Sequence, residues 1–285
     1  MNKNAPRTAS YWVSRIVLVF LIVTTFFPFV MLINMSLKPT VLITTDFLGL
    51  PKEPYWQNFS KALSFVGRPI LNSFLICGAS LGFILLHVSL SGYAFARLRF
   101  KGKRFLFGML VAVMMVPTTI TIVPQYLIMQ KLRLINKYWA LILPYIASQQ
   151  VFGIMLAKAA FEQMPNDIFE AAKIDGANEF SSFLRIGLPL LKPTLVTVGI
   201  TVVVAMYNDY IWPTIALTGG DDMKTFCQIV FNAASGIART DLGLVAASFI
   251  LGTIPLMLIT CSCLKYYREG TSRGLTCAML SPSMP

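Results

Sequence analysis

Short polar clusters stand inside otherwise apolar runs, and their types set what chemistry the chain can do. Gln149-Gln150 offers adjacent amides, Asn208-Asp209 offers an amide and a carboxylate, and Tyr145, Tyr207, Tyr210 and Trp212 stand close to them in sequence. Amides and a carboxylate hydrogen-bond hydroxyl-rich solutes, and an aromatic face accepts the apolar side of a pyranose ring. Polar residues within apolar spans are candidates for a solute path. The competing reading is structural: Gln149 and Gln150 as hydrogen-bonded glue between helices, Tyr210 and Trp212 as interfacial anchors. Gln149-Gln150 lies about 17 Å along its helix at 1.5 Å per residue, close to a bilayer midplane. An Asp at the centre of a span costs about 2.5–3.5 kcal/mol on insertion scales, so Asp209 is expected to face a wet cavity or a partner.

Other chemistries lack their residues. His87 is the single histidine, which removes His-based metal clusters and most nucleophilic triads and reads as a packed neutral imidazole rather than a proton relay. The patterns G-x-x-x-x-G-K-[ST], H-E-x-x-H and G-x-S-x-G are absent. The five cysteines (Cys77, Cys227, Cys261, Cys263, Cys277) form no C-x-x-C pair and suggest no disulfide framework. The chain is therefore expected to be no enzyme, and to bind no metal or cofactor of its own.

Residues 158–192 carry the densest mixed charge: Lys158, Lys173, Arg185 and Lys192 against Glu162, Asp167, Glu170, Asp175 and Glu179. Pro165-Asn-Asp-Ile-Phe-Glu170 reads as a helix start, with Asp167 as cap and Glu170 completing a capping-box-like pair. Ala171 and Ala172 favour helix at little bulk, and Gly176 suits a left-handed stop. A second short helix is expected from Asn178 to Arg185, exposing Phe180, Phe183 and Leu184 on one side, ended by Pro189 and Pro193.

The elements that must position these residues follow from composition. The 285 residues are 56% hydrophobic, 12% aromatic and only 13% charged, with a mean hydropathy of +0.68; soluble domains are roughly a quarter charged. Charge-free runs at Ile16–Leu37, Pro69–Ala96, Phe105–Gln130, Tyr138–Ala157 and Leu242–Leu264, with a sixth from Pro193 to about Leu217 interrupted by Asp209, are each long enough to cross a bilayer as a helix. No alternating strands of a barrel occur. With six spans, the side holding both termini carries 15 Lys/Arg and the other 9, which places both termini in the cytoplasm. The formal net charge of +12 sits mainly at span ends, as headgroup anchors, and no basic stripe suited to nucleic acid is present. The first run is too long for a signal peptide and reads as a retained span. Prolines 28, 69, 117, 124, 144, 213 and 255 predict kinked helices, those at Pro117, Pro124 and Pro144 doubling as possible gate hinges. Gly78-Ala-Ser-Leu-Gly82 predicts a close helix contact. The charge-free stretch Thr225–Ala238 is too short to span and is expected on the outer face.

Glu170-Ala171-Ala172, then Gly176, then Ile186-x-Leu188-Pro189 resembles the EAA loop of ABC importer permeases. Glu170-Ala-Ala-Lys-Ile-Asp-Gly-Ala177 and Leu188-Pro-Leu-Leu-Lys-Pro193 resemble the carbohydrate-uptake class, in particular the type of maltose-transporter permease without the large extracellular insertion. Asn72-Ser73, Ser91-Gly-Tyr-Ala-Phe-Ala-Arg97 and Tyr207-Asn-Asp-Tyr-Ile-Trp-Pro213 are similar to that class as well. The tail from Thr271 to Pro285 departs from the usual short glycine-rich ending.

The resemblance implies an all-α membrane protein of six transmembrane helices, with a cytoplasmic coupling-helix loop (158–192) between spans four and five. Residues 1–15 and 265–285 would be cytoplasmic and 16–264 the transmembrane domain. It implies import of a sugar or oligosaccharide delivered by an extracellular solute-binding protein, across the plasma (inner) membrane of a bacterium or archaeon. The partners implied are a second homologous permease subunit and two ATP-binding subunits that carry ATP and Mg. Glu170, Ala171, Ala172, Asp175, Gly176, Ala177, Phe180, Ile186, Leu188 and Pro189 would couple to the ATPase, moving the fourth and fifth spans as rigid bodies. Tyr145, Gln149, Gln150, Tyr207, Asn208 and Asp209 are the candidate substrate path. An ion-coupled secondary carrier is the alternative; it predicts several membrane-buried carboxylates, where the spans supply Asp209.

Overall fold

The computed structural model describes residues 9–235 and 241–279, with side chains for 11–235 and 241–263. Contacts group the chain into two units, one of residues 1–67 and 230–254, the other of residues 68–229 and 255–285. Five helices are long and apolar enough to cross a membrane, or six when one bent pair is counted as a span. The chain is thus a multi-pass α-helical membrane protein.

In the first unit, α1 (Ala9–Ser36) is apolar and exposed along its length until Asn34 and Ser36. The segment that follows holds the short α2 (Thr40–Thr45) and leads into α3 (Gln57–Arg97). Its backbone is pinned from inside. Lys38 is only 2% exposed, and its ammonium donates to the carbonyls of Asp46 (2.9 Å) and Phe47 (3.4 Å). Asn34 donates to the Gly49 carbonyl at 3.1 Å. Asn58, fully buried, donates to the carbonyls of Ser36 (2.9 Å) and Lys38 (2.8 Å). Gly243, in the first turn of α12 (Leu242–Met279), lies so close to Asn58 and the Lys38 carbonyl that a β-carbon would collide with both. Replacing Asn58 with leucine orphans two buried carbonyls, at a cost of about 3 kcal/mol. The expected result is faster proteolysis and amide exchange over residues 37–56, with helix content unchanged by circular dichroism.

In the second unit, the expected third span is broken. α4 (Lys103–Met114) and α5 (Thr118–Lys131) meet at 101°. The cause is Pro117, which has no N–H to continue α4 and drives Val116 away from helical geometry. It becomes the extended N-cap of α5 (φ −60°, ψ 131°), while Pro124 stays inside α5. The fourth span is α6 (Trp139–Glu162). The fifth differs from expectation at both ends. Its helix starts at Glu179 as α8 (Glu179–Ser182), passes through a π-helical turn (Phe183–Gly187) and continues as α9 (Leu188–Asn208). Pro189 and Pro193 therefore do not end the short helix. The widened π-turn takes up the clash that the Pro189 ring would make with the Arg185 carbonyl. At the far end the helix stops at Asp209, which is extended (φ −71°, ψ 125°), before the short α10 (Ile211–Ala216).

Close packing in this unit uses glycines other than those expected. A β-carbon on Gly78 or Gly82 would meet nothing within 4 Å, so among the described residues that face makes no tight helix contact. On Gly92 it would sit 2.6 Å from Ala157 Cβ, and on Gly153 2.5 Å from Val88 and 2.9 Å from Val198. Gly153 thus seats α6 between α3 and α9.

The Thr225–Ala238 stretch forms α11 (Phe226–Ser235); residues 236–240 lie outside the described residues. α12 covers the expected sixth span and continues to Met279, with the tail expectation beyond it at 280–285 outside the described residues.

Candidate functional site

Two constructions in the second unit bring together most of the residues singled out by type and spacing. The first is the segment after α6. α7 (Asn166–Ile174) starts at an extended Pro165 (φ −55°, ψ 137°), and no side chain caps it. The Asp167/Glu170 capping box is therefore not formed; Pro165 fixes the entry geometry instead. Asn166, the first helical residue, accepts a hydrogen bond from Arg97. The C-terminal stop forms at Gly176, with φ +83°. Ala177 N–H donates to Ala172 (2.9 Å) and Gly176 N–H to Lys173 (3.0 Å), the paired bonds of a Schellman cap. Asn178 then caps α8, its side-chain oxygen accepting from Ser181 N–H at 2.8 Å.

α7 rests on an aromatic foundation. Tyr93 lies 5.4 Å from Phe161, 6.3 Å from Phe169 and 5.3 Å from Phe183, centroid to centroid. The Arg97 guanidinium stacks over Phe169 at 4.3 Å and donates to the carbonyls of Phe161 and Met164, both at 2.6 Å. Those carbonyls lie in the last turn of α6 and just past it, where a cation is favoured. Phe183 is 4% exposed and belongs to this cluster, not to an outward apolar face as expected. Gly187 makes the room, because a β-carbon there would lie 3.1 Å from Phe161. Tyr93 also donates to Glu179 (3.1 Å), which pairs with Lys173 at 2.7 Å. Glu179 lies at the start of a 30-residue helix, longer than a bilayer core, and outside the apolar part of it. The Lys173 hydrogen bond, opposed by partial burial and helped by Tyr93, holds its carboxyl below the usual carboxylate range.

What α7 shows to the outside is small, apolar and acidic, apart from Lys173, whose exposed ammonium is engaged by Glu179. Glu170, Ala171, Asp175 and Gly176 are exposed, while Ala172 and Ala177 are half-buried. Ile174 is 87% exposed and Phe180 63%. Ile186 and Leu188 are half-buried and Pro189 is exposed. Sequence reasoning did not single out Tyr93, Arg97, Phe161 or Phe169 as site residues. Their signal was the Tyr93/Arg97 spacing of four at a helix end, which puts both on one face.

The second construction is a cleft of about 380 Å³ between α5, α6 and the α9–α10 break, within the size range of small-molecule sites. Tyr145, Gln149, Asn208 and Asp209 line it, as do Thr118, Thr119, Thr121 and Gln125 of α5. Asp209 organises one wall. Its carboxylate accepts from Tyr145 O–H (2.9 Å), Ile211 N–H (3.0 Å) and Trp212 N–H (3.3 Å). Trp212 in turn donates its indole N–H to the Ala140 carbonyl at 2.9 Å.

Gln150 and Tyr207 lie elsewhere. Gln150 points to another face of α6, with its oxygen 3.1 Å from His87 Nδ1. His87 is exposed, not packed in the interior as expected. Tyr207 is buried, 5.4 Å from Phe74 and 5.5 Å from Phe226 in ring contacts. The α5 hydroxyls were missed because they read as part of an apolar run; only the break at Pro117 turns them toward Asp209.

Residues 88–266 match the family described as binding-protein-dependent transport system inner membrane component. The chain is 26% identical to the diacetylchitobiose uptake system permease protein NgcG of Streptomyces coelicolor, over 92% of this chain and 87% of that protein. It is 27% identical to the melibiose/raffinose/stachyose import permease protein MelC of Bacillus subtilis, over 95% and 98%. It is 29% identical to the lactose transport system permease protein LacG of Rhizobium radiobacter, over 75% and 78%. The fold is that of a chain in a crystal structure of a bacterial ABC transporter involved in the import of the acidic polysaccharide alginate, at TM-score 0.81 and 19% identity, covering 93% of this chain and all of that one. The match runs through both constructions and well over half of the sequence, and the chain belongs to the family of binding-protein-dependent transport system inner membrane components.

Proposed function

We propose that this chain is one permease half of an ATP-driven importer that moves a sugar or oligosaccharide delivered by an extracellular solute-binding protein. The observation that carries the reading is α7: a compact knob with Glu170, Ala171 and Ile174 turned outward on a foundation of buried rings. Small residues let a partner approach closely, Glu170 offers a charge to a basic residue, and Ile174 offers an apolar anchor. An ATP-binding subunit is the partner such a knob serves. The sugar class is supported by the substrates named for the relatives and by the cleft, whose hydroxyls, amides and Tyr145 suit a polyhydroxylated solute.

In this reading Glu170, Ala171, Ala172, Asp175, Gly176, Ala177, Phe180, Ile186, Leu188 and Pro189 form or support the coupling surface in a 158–192 loop. Tyr145, Gln149, Asn208 and Asp209 touch the solute, while Gln150 and Tyr207 support the walls. ATP and Mg belong to two ATPase subunits, a second homologous permease completes the pathway, and this chain binds no cofactor. Both termini, residues 1–15 and 265–285, lie in the cytoplasm, flanking a transmembrane domain of 16–264 in the plasma membrane of a bacterium or archaeon. The basic excess on that side supports the orientation.

The test is co-purification from cells expressing the whole transporter. The wild-type chain is expected to bring down an ATPase subunit, and Glu170→Ala or Gly176→Pro to lose it. Uptake that persisted without any ATPase and followed a proton gradient would overturn the proposal.

A further inference from the structure

The expected route for the ATPase stroke is through the fourth and fifth spans, since they continue directly from the coupling loop. Both are interrupted. α6 contains Pro144, and the path into α9 contains the Phe183–Gly187 π-turn and Pro193. Such features are where helices bend. α3 is different: its one proline, Pro69, lies before Asn72, and from there the helix runs unbroken to Arg97. That stretch is about 37 Å long at 1.5 Å per residue, enough to cross a bilayer.

Each end of this stretch holds a different loop. At one end are the Tyr93 and Arg97 contacts to α7, to the Phe161 and Met164 carbonyls at the end of α6 and to Glu179. At the other, Asn72 is 3% and Ser73 2% exposed. The Asn72 amide donates to the carbonyls of Asp222 (2.8 Å) and Lys224 (3.0 Å), and its oxygen accepts from Tyr138 O–H at 2.9 Å. Ser73 Oγ accepts from Phe226 N–H at 2.9 Å. The loop 217–226 is therefore tied to α3 through buried, saturated hydrogen bonds; the Arg68–Asp222 ion pair beside them is exposed and adds little. At the Arg97 end, one residue before Tyr93, Gly92 brings the α3 and α6 backbones into contact at Ala157, which bolts that end of the helix to α6.

We propose that α3 between Asn72 and Arg97 is the strut that carries motion of the coupling helix to loop 217–226 at the far end of the membrane span, with Tyr93, Arg97, Asn72 and Ser73 as its positioning residues. The proposal rests on the reading of α7 as the ATPase-docking knob. The two anchors act in series, so breaking either one disconnects the ends. Lysine cannot replace Arg97, because a single ammonium cannot reach two carbonyls and Asn166 while stacking on Phe169.

The experiment is hydrogen–deuterium exchange on the assembled transporter in lipid nanodiscs, with and without ATP plus vanadate, read on peptides covering 217–226. In the wild type, nucleotide is expected to change exchange of this loop by about 5-fold or more. Arg97→Lys and Asn72→Ala are each expected to abolish most of that response, and the double variant to be no worse than either single, as series links require. Tyr93→Phe and Ser73→Ala, which keep the packing, are milder versions expected to give partial losses and stand in if the stronger variants do not assemble. A loop that still responds in both single variants, effects that add in the double, or a wild-type loop indifferent to nucleotide would overturn the strut. A wild-type preparation without an ATPase subunit would instead overturn the importer reading, and the strut with it.

Discussion

Valine at position 92 should destabilise the packing of the second unit, while valine at 78 or 82 in the same helix should leave it intact. A β-carbon on Gly92 would come 2.6 Å from Ala157 Cβ and 3.2 Å from the Ala157 carbonyl carbon. A carbonyl carbon is helix backbone and cannot rotate away, so α3 and α6 would have to separate. Overpacking costs about 1–3 kcal/mol and more where backbone must move. Against it, valine gains only about 0.4 kcal/mol over glycine in helix propensity, so steric conflict decides the sign. A loss of about 3 kcal/mol lowers the melting temperature by about 8 °C in a chain of this size. At Gly78 and Gly82 nothing lies within 4 Å, and only the propensity gain remains. Thermal melts of the three purified variants in one detergent make the comparison. A Gly92→Val protein melting with the wild type would show that the α3–α6 contact is not close-packed.

Alanine at position 209 should open the α9–α10 break. Three donors converge on the carboxylate: Tyr145 O–H from α6 and the backbone N–H groups of Ile211 and Trp212 at the start of α10. Loss of a capping side chain costs about 1 kcal/mol, and orphaning the buried Tyr145 hydroxyl costs about 1–3 kcal/mol more. Amide exchange over residues 209–216 should therefore accelerate by about two orders of magnitude, since 1.4 kcal/mol is a factor of ten. Asparagine keeps one oxygen for the two backbone donors, and the Tyr145 hydroxyl can rotate to accept from the new amide. Asp209→Asn is accordingly expected to exchange like the wild type, and uptake by the assembled transporter to fall far more in the alanine variant. Equal damage from both substitutions would assign the role of Asp209 to its charge and not to its geometry.

These two sites mark where the sequence was readable. Apolar runs and charge placement gave the helical membrane class because an uninterrupted apolar stretch has few alternatives in a bilayer. The Gly176 stop was legible for a similar reason: few residues other than glycine sit easily at φ +83°. The Gly78–Gly82 contact was misread because spacing says which residues share a face but not which neighbour that face meets. The Pro117 break was foreseen as a kink, whereas its 101° bend depends on α5 finding a separate packing position. Of the 158–192 loop, the outward residues were identifiable by type. Their foundation was not, because Tyr93, Phe161, Phe169 and Phe183 lie up to 90 positions apart and look like ordinary apolar filler until the chain folds. In the cleft, Asp209 stood out by its insertion cost, while the threonines of α5 cost little in a helix and so left little trace.

The π-helical turn at Phe183–Gly187 has a consequence for the cleft about 30 Å further along the same helix, at 1.5 Å per residue. A π-turn holds one residue more than the α-helical turn it replaces, so it sets the angular phase of everything downstream. Each residue of α-helix advances that phase by about 100°. Ala205 and Asn208 face the cleft only because the surplus residue is taken up beside Tyr93. Were it released, α9 would turn them away without bending, and the cleft would lose the Asn208 amide while keeping the polar groups of α5 and α6. The share of the cleft that α9 supplies is thus wound in at the other end of the helix, beside the Tyr93 ring cluster.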